Sequence, residues 1–426
     1  DITEFLEDRA LGHTNGLDII DINSGGLLGY GMHAGISKDF NTGWQHGDIK
    51  GAFLSDTTVE SLTANTNLAT SATDQGTNRL SSHTYDDGDT SWQMVDNAGS
   101  SNGYINIGLK GLTIGQSYFI SMTWDNNATL DSGYEHRIAH LNGTAGENAT
   151  DFIHWNKTNG SSETLTGVFI AQSVNDDDLI IYCNAITLNV SNFNVRAVDD
   201  EDRSVNNKGL AVYGTITKTA VATGADLVAY SGFSGSNALV QPYNSDMDWG
   251  TGDFYYMIWV YHRNVSALYG IISRQGNGQE SGNRFQFQSD SDSQYHLYAG
   301  SNQTALGTVK LNVWSQLAIV RSGGSCNFYQ DGISVRSWTD STNYTNVAAP
   351  LRVGGLSLGS TIADNSYAAS GVDFALFRTG ASAPSAEQVK KMYNDEKRLF
   401  QENAKCTLYG SSDAVTALAF DNSTNL

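Results

Sequence analysis

Alternation of side chains with a period of two residues constrains the fold of this chain more than any other feature of its sequence. In the segment 118–124, the apolar residues Tyr118, Ile120, Met122 and Trp124 fall on one side of an extended chain. A half-buried strand has this pattern, whereas a helix repeats its apolar residues every three or four positions. Similar short segments occupy residues 91–95, 136–141, 152–155, 164–171, 179–183 and 193–198. We therefore expect an all-β protein whose antiparallel strands pack as jelly-roll-like sandwiches.

Turn-forming residues separate these strands. The 426 residues include 44 Gly but only 3 Pro, so Gly, Asn, Asp and Ser must form most of the turns. The pair Asp331-Gly332 stands between the segments 327–330 and 333–337 and predicts a two-residue β-hairpin, because both turn positions need a positive φ. A chain of this length is long enough for two sandwiches in series.

The distribution of these patterns divides the chain into five parts. We expect a leader or docking segment over 1–54, a β-sandwich over 55–198, a solvated acidic linker over 199–203, a second β-sandwich over 204–403, and the start of a further β element over 404–426. The leader lacks regular periodicity, yet it contains Leu27, Leu28, Tyr30, Phe40, Trp44 and Phe53. Burying large apolar side chains is favourable by about 1.5–3 kcal/mol each. The leader is therefore expected to pack against another subunit or against the neighbouring sandwich.

Two elements of the second sandwich can be placed from the sequence. The segment 254–261 is almost wholly apolar, which predicts a central strand whose two faces are both covered. A helix is expected from Ser385 to about residue 403, because Ser385 and Gln388 form a capping-box pattern after a proline. Val389 and Met392 begin its apolar stripe.

The chain is strongly acidic, with a net charge of −21 and an isoelectric point of about 4.6. A field of this sign repels phosphate backbones and anionic lipids, so we expect neither nucleic acid nor a membrane as a partner. The acidic residues could also simply keep a polar surface soluble. No apolar run approaches the ~20 residues that cross a bilayer. Cys183, Cys326 and Cys406 lack the spacing of a disulfide framework or a zinc site.

Carboxylate patterns of hydrolytic enzymes are missing from the sequence. Retaining glycoside hydrolases need two carboxylates about 5 Å apart, which alternate residues on one strand can supply. No Glu-x-Asp-x-x-Glu pattern occurs, and the acidic run 199–202 lies in the predicted linker. The His-Glu-x-x-His motif of zinc proteases is also missing. We therefore predict a protein without enzymatic activity.

The second sandwich resembles the laminin-G-like, concanavalin A-like lectin/glucanase superfamily. The aromatic segment 252–260, the segment 268–274, the hairpin segments 314–321 and 328–335, and the closing segment 371–378 occur in the order of that family. The resemblance implies a two-sheet antiparallel sandwich with a helix after its last strand. Nearly all of these positions are core or turn positions, so they imply a fold and identify no sugar site.

Residues 55–198 are similar to the jelly-roll carbohydrate-binding modules, through the segments 111–118 and 190–195. Those modules usually place an Asp where Ser191 stands, and that Asp serves a structural calcium. Such a module followed by a laminin-G-like domain, in a chain rich in Asn and Thr, is similar to the tail-associated adhesins of tailed bacteriophages.

The resemblance to tail-associated adhesins implies a function at the virion surface. The expected partners are host-surface polysaccharide or glycan and other virion subunits, with a homo-oligomer, such as a trimer, as the assembly. Two alternatives stay open: a purely structural virion component that binds no sugar, and a secreted bacterial adhesion protein.

Exposed aromatic residues are the candidates for sugar binding, because aromatic rings stack on the apolar faces of pyranoses. We select Trp92, Tyr134 and Trp155, which lie on or beside strands of the first sandwich and have polar neighbours. Each of these rings could fill the core instead.

Loop carboxylates and amides at the rim of the second sandwich are candidates for a calcium site. Hard cations take oxygen ligands from loops, and Asp246, Asp248, Asp364 and Asn365 could supply them. The alternative is that these residues belong to solvated turns.

Overall fold

The structure is a computed structural model, and β-strands are its main element. It describes residues 17–22, 31–36, 48–96, 103–126, 136–142, 151–156, 163–171, 177–183, 187–204, 206–275, 283–300, 302–346, 349–356 and 365–404. Four strands precede the first sandwich: β1 (Leu17–Ile22), β2 (Gly31–Ile36), β3 (Ile49–Phe53) and β4 (Glu60–Thr63). Ten strands form the first sandwich: β5 (Thr73–Asn78), β6 (Leu80–His83), β7 (Trp92–Asp96), β8 (Gly103–Leu109), β9 (Ser117–Asn126), β10 (His136–Asn142), β11 (Asp151–Asn156), β12 (Glu163–Ile170), β13 (Asp177–Cys183) and β14 (Thr187–Ala197).

The second half of the chain is organised in the same way and ends in a helix. Its strands are β15 (Ala211–Tyr213), β16 (Thr215–Ala220), β17 (Val228–Ser231), β18 (Ala238–Gln241), β19 (Phe254–His262), β20 (Tyr269–Arg274), β21 (Phe285–Ser289), β22 (Gln294–Ala299), β23 (Asn302–Thr308), β24 (Trp314–Ser322), β25 (Ser325–Gln330), β26 (Ile333–Thr339), β27 (Leu351–Val353) and β28 (Val372–Gly380). The helix α1 covers Ala386–Glu396, and 3₁₀ turns cover Leu68–Ser71, Ser245–Met247 and Lys397–Phe400.

The first sandwich packs two five-stranded antiparallel sheets against each other. Their strand orders are β11-β10-β13-β8-β5 and β12-β9-β14-β7-β6. The alternation seen in the sequence defines the core, because Tyr118, Ile120, Met122 and Trp124 of β9 are all buried in one apolar cluster. The predicted sandwich of short antiparallel strands is therefore confirmed.

The second sandwich packs a seven-stranded sheet against a nine-stranded one. The seven-stranded sheet has the order β15-β18-β27-β20-β21-β22-β23. The nine-stranded sheet has the order β26-β25-β24-β19-β28-β17-β16-β4, and β3 also pairs with β28. The predicted hairpin at Asp331-Gly332 joins β25 to β26, and both residues have a positive φ, of 55° and 74°.

Strand β19 occupies the middle of the nine-stranded sheet, as its apolar sequence predicts. It pairs with β24 on one side and with β28 on the other. Phe254, Tyr256 and Ile258 point into the core between the sheets. Trp259 faces the other way and is only 1% exposed, because the rings of Tyr393 and Phe400 stack on it at 5.7 and 4.2 Å.

Helix α1 covers the outside of β19 and is anchored by a buried carboxylate. Ser385 caps the helix, and Gln388 completes the predicted capping box. Glu396 accepts hydrogen bonds from the Trp259 indole at 2.6 Å and from the Gln316 amide at 3.1 Å, and it forms an ion pair with Arg378. The regular helix ends at Glu396, earlier than predicted, and continues as a 3₁₀ turn.

The predicted boundary at residues 54 and 55 is wrong. Strand β3, which lies in the predicted leader, pairs with β28, and β4, which lies in the range predicted for the first sandwich, pairs with β16. Both strands therefore belong to the second sandwich, and the first sandwich is inserted between β4 and β15. The pattern of a short strand cannot tell which sheet the strand will join, since its partners are distant in sequence. Phe53 packs within this chain, and the other apolar leader residues lie outside the described ranges.

The predicted solvated linker at 199–203 is also wrong. Asp200 and Asp202 are buried, and Asp200 forms a β-bridge with Leu210. Next to them, Arg196 forms an ion pair with Asp199 at 2.6 Å and donates a hydrogen bond to the carbonyl of Val212. A run of charged residues looks solvated in the sequence, but these side chains hold the two sandwiches together.

The anchor at Glu396 leads to a stability prediction. Replacing Glu396 with Ala should lower the free energy of unfolding by about 3–5 kcal/mol, because Arg378 would lose its carboxylate in a buried site. Asp395→Ala is the matched control, since it removes an exposed ion pair with Lys391 in the same helix and should cost about 0.3–0.5 kcal/mol. Urea unfolding would measure both. Equal effects of the two variants would contradict the anchoring role.

Candidate functional site

Strand β21 shows which side of the seven-stranded sheet faces away from the core. Phe285 and Phe287 lie in the core between the two sheets. Because side chains alternate along a strand, Gln286 and Gln288 lie on the opposite side. We call that side of the seven-stranded sheet the outer face. It carries Tyr213, Ser273, Gln286, Gln288, His296, Tyr298, Gln303 and Arg352.

Strand register places five of these residues in a row across the sheet. Arg352 of β27 pairs with Ser273 of β20, and Ser273 pairs with Gln286 of β21. Gln286 then pairs with Tyr298 of β22, which pairs with Gln303 of β23. Neighbouring strands lie about 4.8 Å apart, so the row crosses about 19 Å of sheet. The row therefore aligns polar side chains and one aromatic ring, and only its Tyr298 and Gln303 end is accessible, because Arg352, Ser273 and Gln286 are buried.

The polar side chains of the outer face are partly satisfied by one another. The Gln286 amide donates to the Oε1 atom of Gln288 at 2.5 Å, whereas the buried Nε2 atom of Gln288 has no hydrogen-bond partner within the described part of the chain. His296 lies 2.9 Å from a carboxylate oxygen of Asp292 and 3.1 Å from the Gln303 amide. These contacts fix the positions of the amide donors and acceptors before any ligand binds.

Tyr298 supplies the aromatic surface of the row. Its ring is half-buried, and the Arg284 guanidinium lies 4.7 Å from the ring centroid. Arg284 is itself held by a 2.7 Å hydrogen bond from its Nε atom to the carbonyl of Gly300. The ring therefore has a fixed orientation on the strand next to the sheet edge.

The first sandwich covers the β15 end of the outer face. Tyr213 of β15 packs edge-on against Phe119 of β9 at 6.0 Å, and the Arg196 guanidinium lies over both rings. At the other end, Gln303 is exposed on the edge strand β23. The accessible part of the face is therefore its β22 and β23 end, where Tyr298 is half-buried and Gln303 is exposed. Ser273, Gln286, Gln288, His296 and Arg352 are buried.

The predicted sugar-binding role of Trp92 is wrong. Its side chain is 5% exposed and lies in the core of the first sandwich, with Tyr85 and Phe193 packed edge-on at 4.9 and 5.3 Å. A buried indole cannot stack on a sugar. Trp155 lies on β11, opposite Arg137, but its side chain is outside the described part of the structure, as is the whole of Tyr134.

The predicted calcium ligands are engaged with other partners. Asp246 forms an ion pair with Lys208 at 2.6 Å, and Asp248 forms one with Arg274. Asn365 is buried and donates to backbone carbonyls at 3.0 and 3.1 Å. Asp364 lies outside the described residues. In the described ranges, no three His, Cys, Asp or Glu side chains gather as metal ligands, and no helix is long and apolar enough to cross a membrane.

Sequence reasoning missed the outer face, although a signal was present. The segment Phe285-Gln286-Phe287-Gln288 alternates strictly between aromatic and amide side chains. An amide in every second position of an interior strand indicates a polar face on a sheet that is otherwise apolar. The search for sugar ligands among Trp residues passed over it, because Tyr298 and the glutamines carry no individual motif.

The family comparison agrees with the fold of the second sandwich. Residues 234–385 match Laminin_G_3, described as the concanavalin A-like lectin/glucanases superfamily. The match includes β18, β20 to β23 and β27, which are six of the seven strands of the sheet that carries the outer face. The resemblance inferred from the sequence is therefore confirmed for this part of the chain. The comparison with curated proteins finds no match.

Solved structures that match this chain do so at low sequence identity and low TM-score. Domain 4 of AbnA, an extracellular arabinanase of Geobacillus stearothermophilus solved with arabinotriose, is 16% identical with a TM-score of 0.34, over 45% of this chain and 92% of that domain. The CBM40 of the Ruminococcus gnavus IT-sialidase, bound to α2,3 sialyllactose, is 9% identical with a TM-score of 0.30, over 34% and 84%. A Trypanosoma rangeli sialidase is 11% identical with a TM-score of 0.31, over 45% of this chain. This chain spans about a third of that sialidase, 32% of its length.

Substitution of Asp246 and Asp248 can distinguish a role in ion pairs from the predicted role as calcium ligands. Asp248→Ala should lower the free energy of unfolding by about 3 kcal/mol, because Arg274 is 3% exposed and would lose its carboxylate. Asp246→Ala should cost about 0–1 kcal/mol, since its pair with Lys208 is partly exposed. Thermal unfolding with calcium and with EDTA would measure both. A calcium-dependent melting temperature that either variant abolishes would contradict the ion-pair assignment.

Proposed function

We propose that this protein is a non-enzymatic surface protein of a bacteriophage virion, and that it binds host-surface glycan on the outer face of its seven-stranded sheet. The observation that carries the sugar-binding part is the accessible end of the row, where the Tyr298 ring and the Gln303 amide are paired on neighbouring strands. The family match supports the same conclusion, because its description includes lectins.

The chemistry of the row fits a polyol. Gln303 is exposed and offers a donor and an acceptor in one amide, which suits the neighbouring hydroxyl groups of a pyranose. Tyr298 offers an apolar ring face beside this amide, and the C–H face of a sugar packs on such a ring. Most donors and acceptors of the row are uncharged, so a neutral sugar residue is the best match.

The non-enzymatic part of the proposal rests on the composition of the face. Its described residues are amides, a histidine, tyrosines, a serine and an arginine, whereas glycoside hydrolysis needs two carboxylates that flank one bond. The spacing Gly-x-Ser-x-Gly occurs at residues 355–359, directly after β27. Its serine lies outside the described ranges, and the next described element is β28 in place of the helix that follows a nucleophile elbow.

The virion part of the proposal rests on the combination of a sandwich similar to carbohydrate-binding modules with a laminin-G-like sandwich in a chain rich in Asn and Thr, which is similar to tail-associated adhesins. Several copies of one weak sugar site on a particle would give an avidity well above that of a single site. Immunogold electron microscopy of phage particles with an antibody against residues 204–404 tests this part. Labelling of the tail tip is expected, and labelling confined to the interior or to non-virion material would contradict it.

The sugar-binding part predicts the effect of two substitutions. Tyr298→Ala and Gln303→Ala should each weaken binding to host polysaccharide by roughly tenfold, about 1.4 kcal/mol, because each removes one accessible contact of the row. A glycan array would identify the ligand, and titration calorimetry would then measure the affinities. Both variants should keep the wild-type melting temperature within a few degrees.

Tyr367→Ala is the matched control, since Tyr367 is 51% exposed in the same sandwich but lies outside the outer face. It should bind like the wild-type protein. If the protein is instead a purely structural virion component, neither the wild-type protein nor any of the variants should bind glycan. Reducing sugar released from the bound polysaccharide would overturn the non-enzymatic assignment, and equal losses in Tyr367→Ala would overturn the site.

A further inference from the structure

A short acidic connector leads from the first sandwich back into the second. It contains Asp199, Asp200 and Asp202, and each of these carboxylates accepts hydrogen bonds from backbone N–H groups. Asp202 accepts from Ala52 at 2.9 Å, and Asp200 accepts from Leu54 at 3.1 Å. These contacts depend on side chains, so they are separate from the strand pairing that builds the sheets.

The donors of these bonds lie on the chain before the first sandwich. Ala52 and Leu54 are 150 and 146 residues from the carboxylates that bind them, and Asn65 donates to Asp199 from 134 residues away at 2.8 Å. The connector therefore ties the segment that enters the first sandwich to the segment that leaves it. We call the carboxylates of Asp199, Asp200 and Asp202, with these donors, the connector latch.

Leu54 shows that the latch holds a strained part of the backbone. Its φ is 58°, in the left-handed region that a leucine rarely adopts. Its N–H donates to Asp200, and its carbonyl accepts from the N–H of Leu376 at 2.8 Å. A conformation of this kind is unfavourable for a leucine and persists only where the surroundings hold it.

Two carboxylates of the latch are buried with few cations near them. Asp200 and Asp202 are 6% and 3% exposed. Burial raises the pKa of Asp200 to about 6, although hydrogen bonds from Tyr230 and Leu54 act in the opposite direction. Burial also raises the pKa of Asp202 to about 6, against hydrogen bonds from Ala52 and Ser204. A cavity of about 280 Å³ adjoins Asp200, and its charged lining residues are Asp56, Glu60, Asp199, Asp200, Glu201, Arg203 and Lys218.

We propose that the connector latch is a proton-binding device that fastens the chain entering the first sandwich to the chain leaving it more tightly in mildly acidic solution than in neutral solution. Lys218 already pairs with Asp56 and Glu60 across the cavity, so it does not serve Asp200 alone. The Tyr230 hydroxyl lies 2.5 Å from Asp200 and can donate to the carboxylate or accept from the protonated acid. Asp200 therefore keeps its contact with Tyr230 in both protonation states. Asp202 differs, because it accepts from the backbone N–H groups of Ala52, Ser204 and Lys208. This inference is independent of the proposed sugar binding.

The direction of the pH effect follows from the pKa values of Asp200 and Asp202 in the folded and unfolded states. An unfolded aspartate has a pKa near 3.8, below the folded value of about 6 for both groups. The folded state therefore binds these protons more tightly than the unfolded state. The stability that they contribute is complete below about pH 4 and is lost as the pH rises through 6. Acidification from pH 7.5 to 5.5 should thus raise the contribution of the latch to stability.

Asp200→Asn tests the proposal, because an amide imitates the protonated carboxyl and the Tyr230 hydroxyl can accept from it. The melting temperature of the wild-type protein should rise between pH 7.5 and 5.5, and the rise should shrink by about half in the variant, since one of two buried groups no longer titrates. At pH 7.5 the variant should melt at or above the wild-type temperature. Asp253→Asn, at an exposed aspartate of the same sandwich, should keep the wild-type rise.

A second variant and a hydrogen-exchange measurement also test the proposal. Tyr230→Phe removes a hydrogen bond that stabilises the charged form of Asp200, so the midpoint of the stability change should move to higher pH. Amide hydrogen exchange at Leu54, corrected for its intrinsic rate, should become faster as the pH rises in the wild-type protein but not in Asp200→Asn. A variant that loses the same stability at pH 5.5 and 7.5 would show that Asp200 is only a fixed acceptor, and the proposal would fail.

Discussion

The stacking of Tyr256 on Phe285 across the second sandwich determines which side chains the outer face presents. The two ring centroids lie 4.3 Å apart, and they join β19 of one sheet to β21 of the other. With Phe285 in the core, Phe287 must also point inward, and Gln286 and Gln288 must point outward. A slip of one residue in β21 would exchange the two sets and replace the amides with phenylalanines. The polar row therefore depends on a contact in the apolar core.

The insertion of the first sandwich into the second makes the two domains parts of one structure. A chain of two independent sandwiches would have one connection, whereas here β3 and β4 belong to the sheet that β15 to β28 complete. Arg196 lies between Phe119 and Tyr213 and pairs with Asp199. The first sandwich consequently closes one end of the outer face, and the shape of the candidate site depends on both domains.

Local sequence patterns predicted the elements well and their partners less well. Strand positions, the Asp331-Gly332 hairpin and the cap at Ser385 follow from short-range geometry that a few residues encode. The sheet that β4 joins depends on a partner more than 150 residues away, and nothing in Glu60–Thr63 specifies it. The polar neighbours of Trp92 and Asp200 indicate exposure to solvent, but both side chains are buried. Burial of single residues is a tertiary property that composition does not fix.

The structure of the protein with a bound oligosaccharide from the host surface would test the central claim most directly. The account predicts density for the sugar over the outer face near β22 and β23, with hydroxyl groups hydrogen-bonded to the Gln303 amide and one pyranose against the Tyr298 ring. The ligand should leave the strand register unchanged, because the row is already ordered by its own contacts. Sugar bound only to the first sandwich, or to the loops at the rim of the second, would contradict the account.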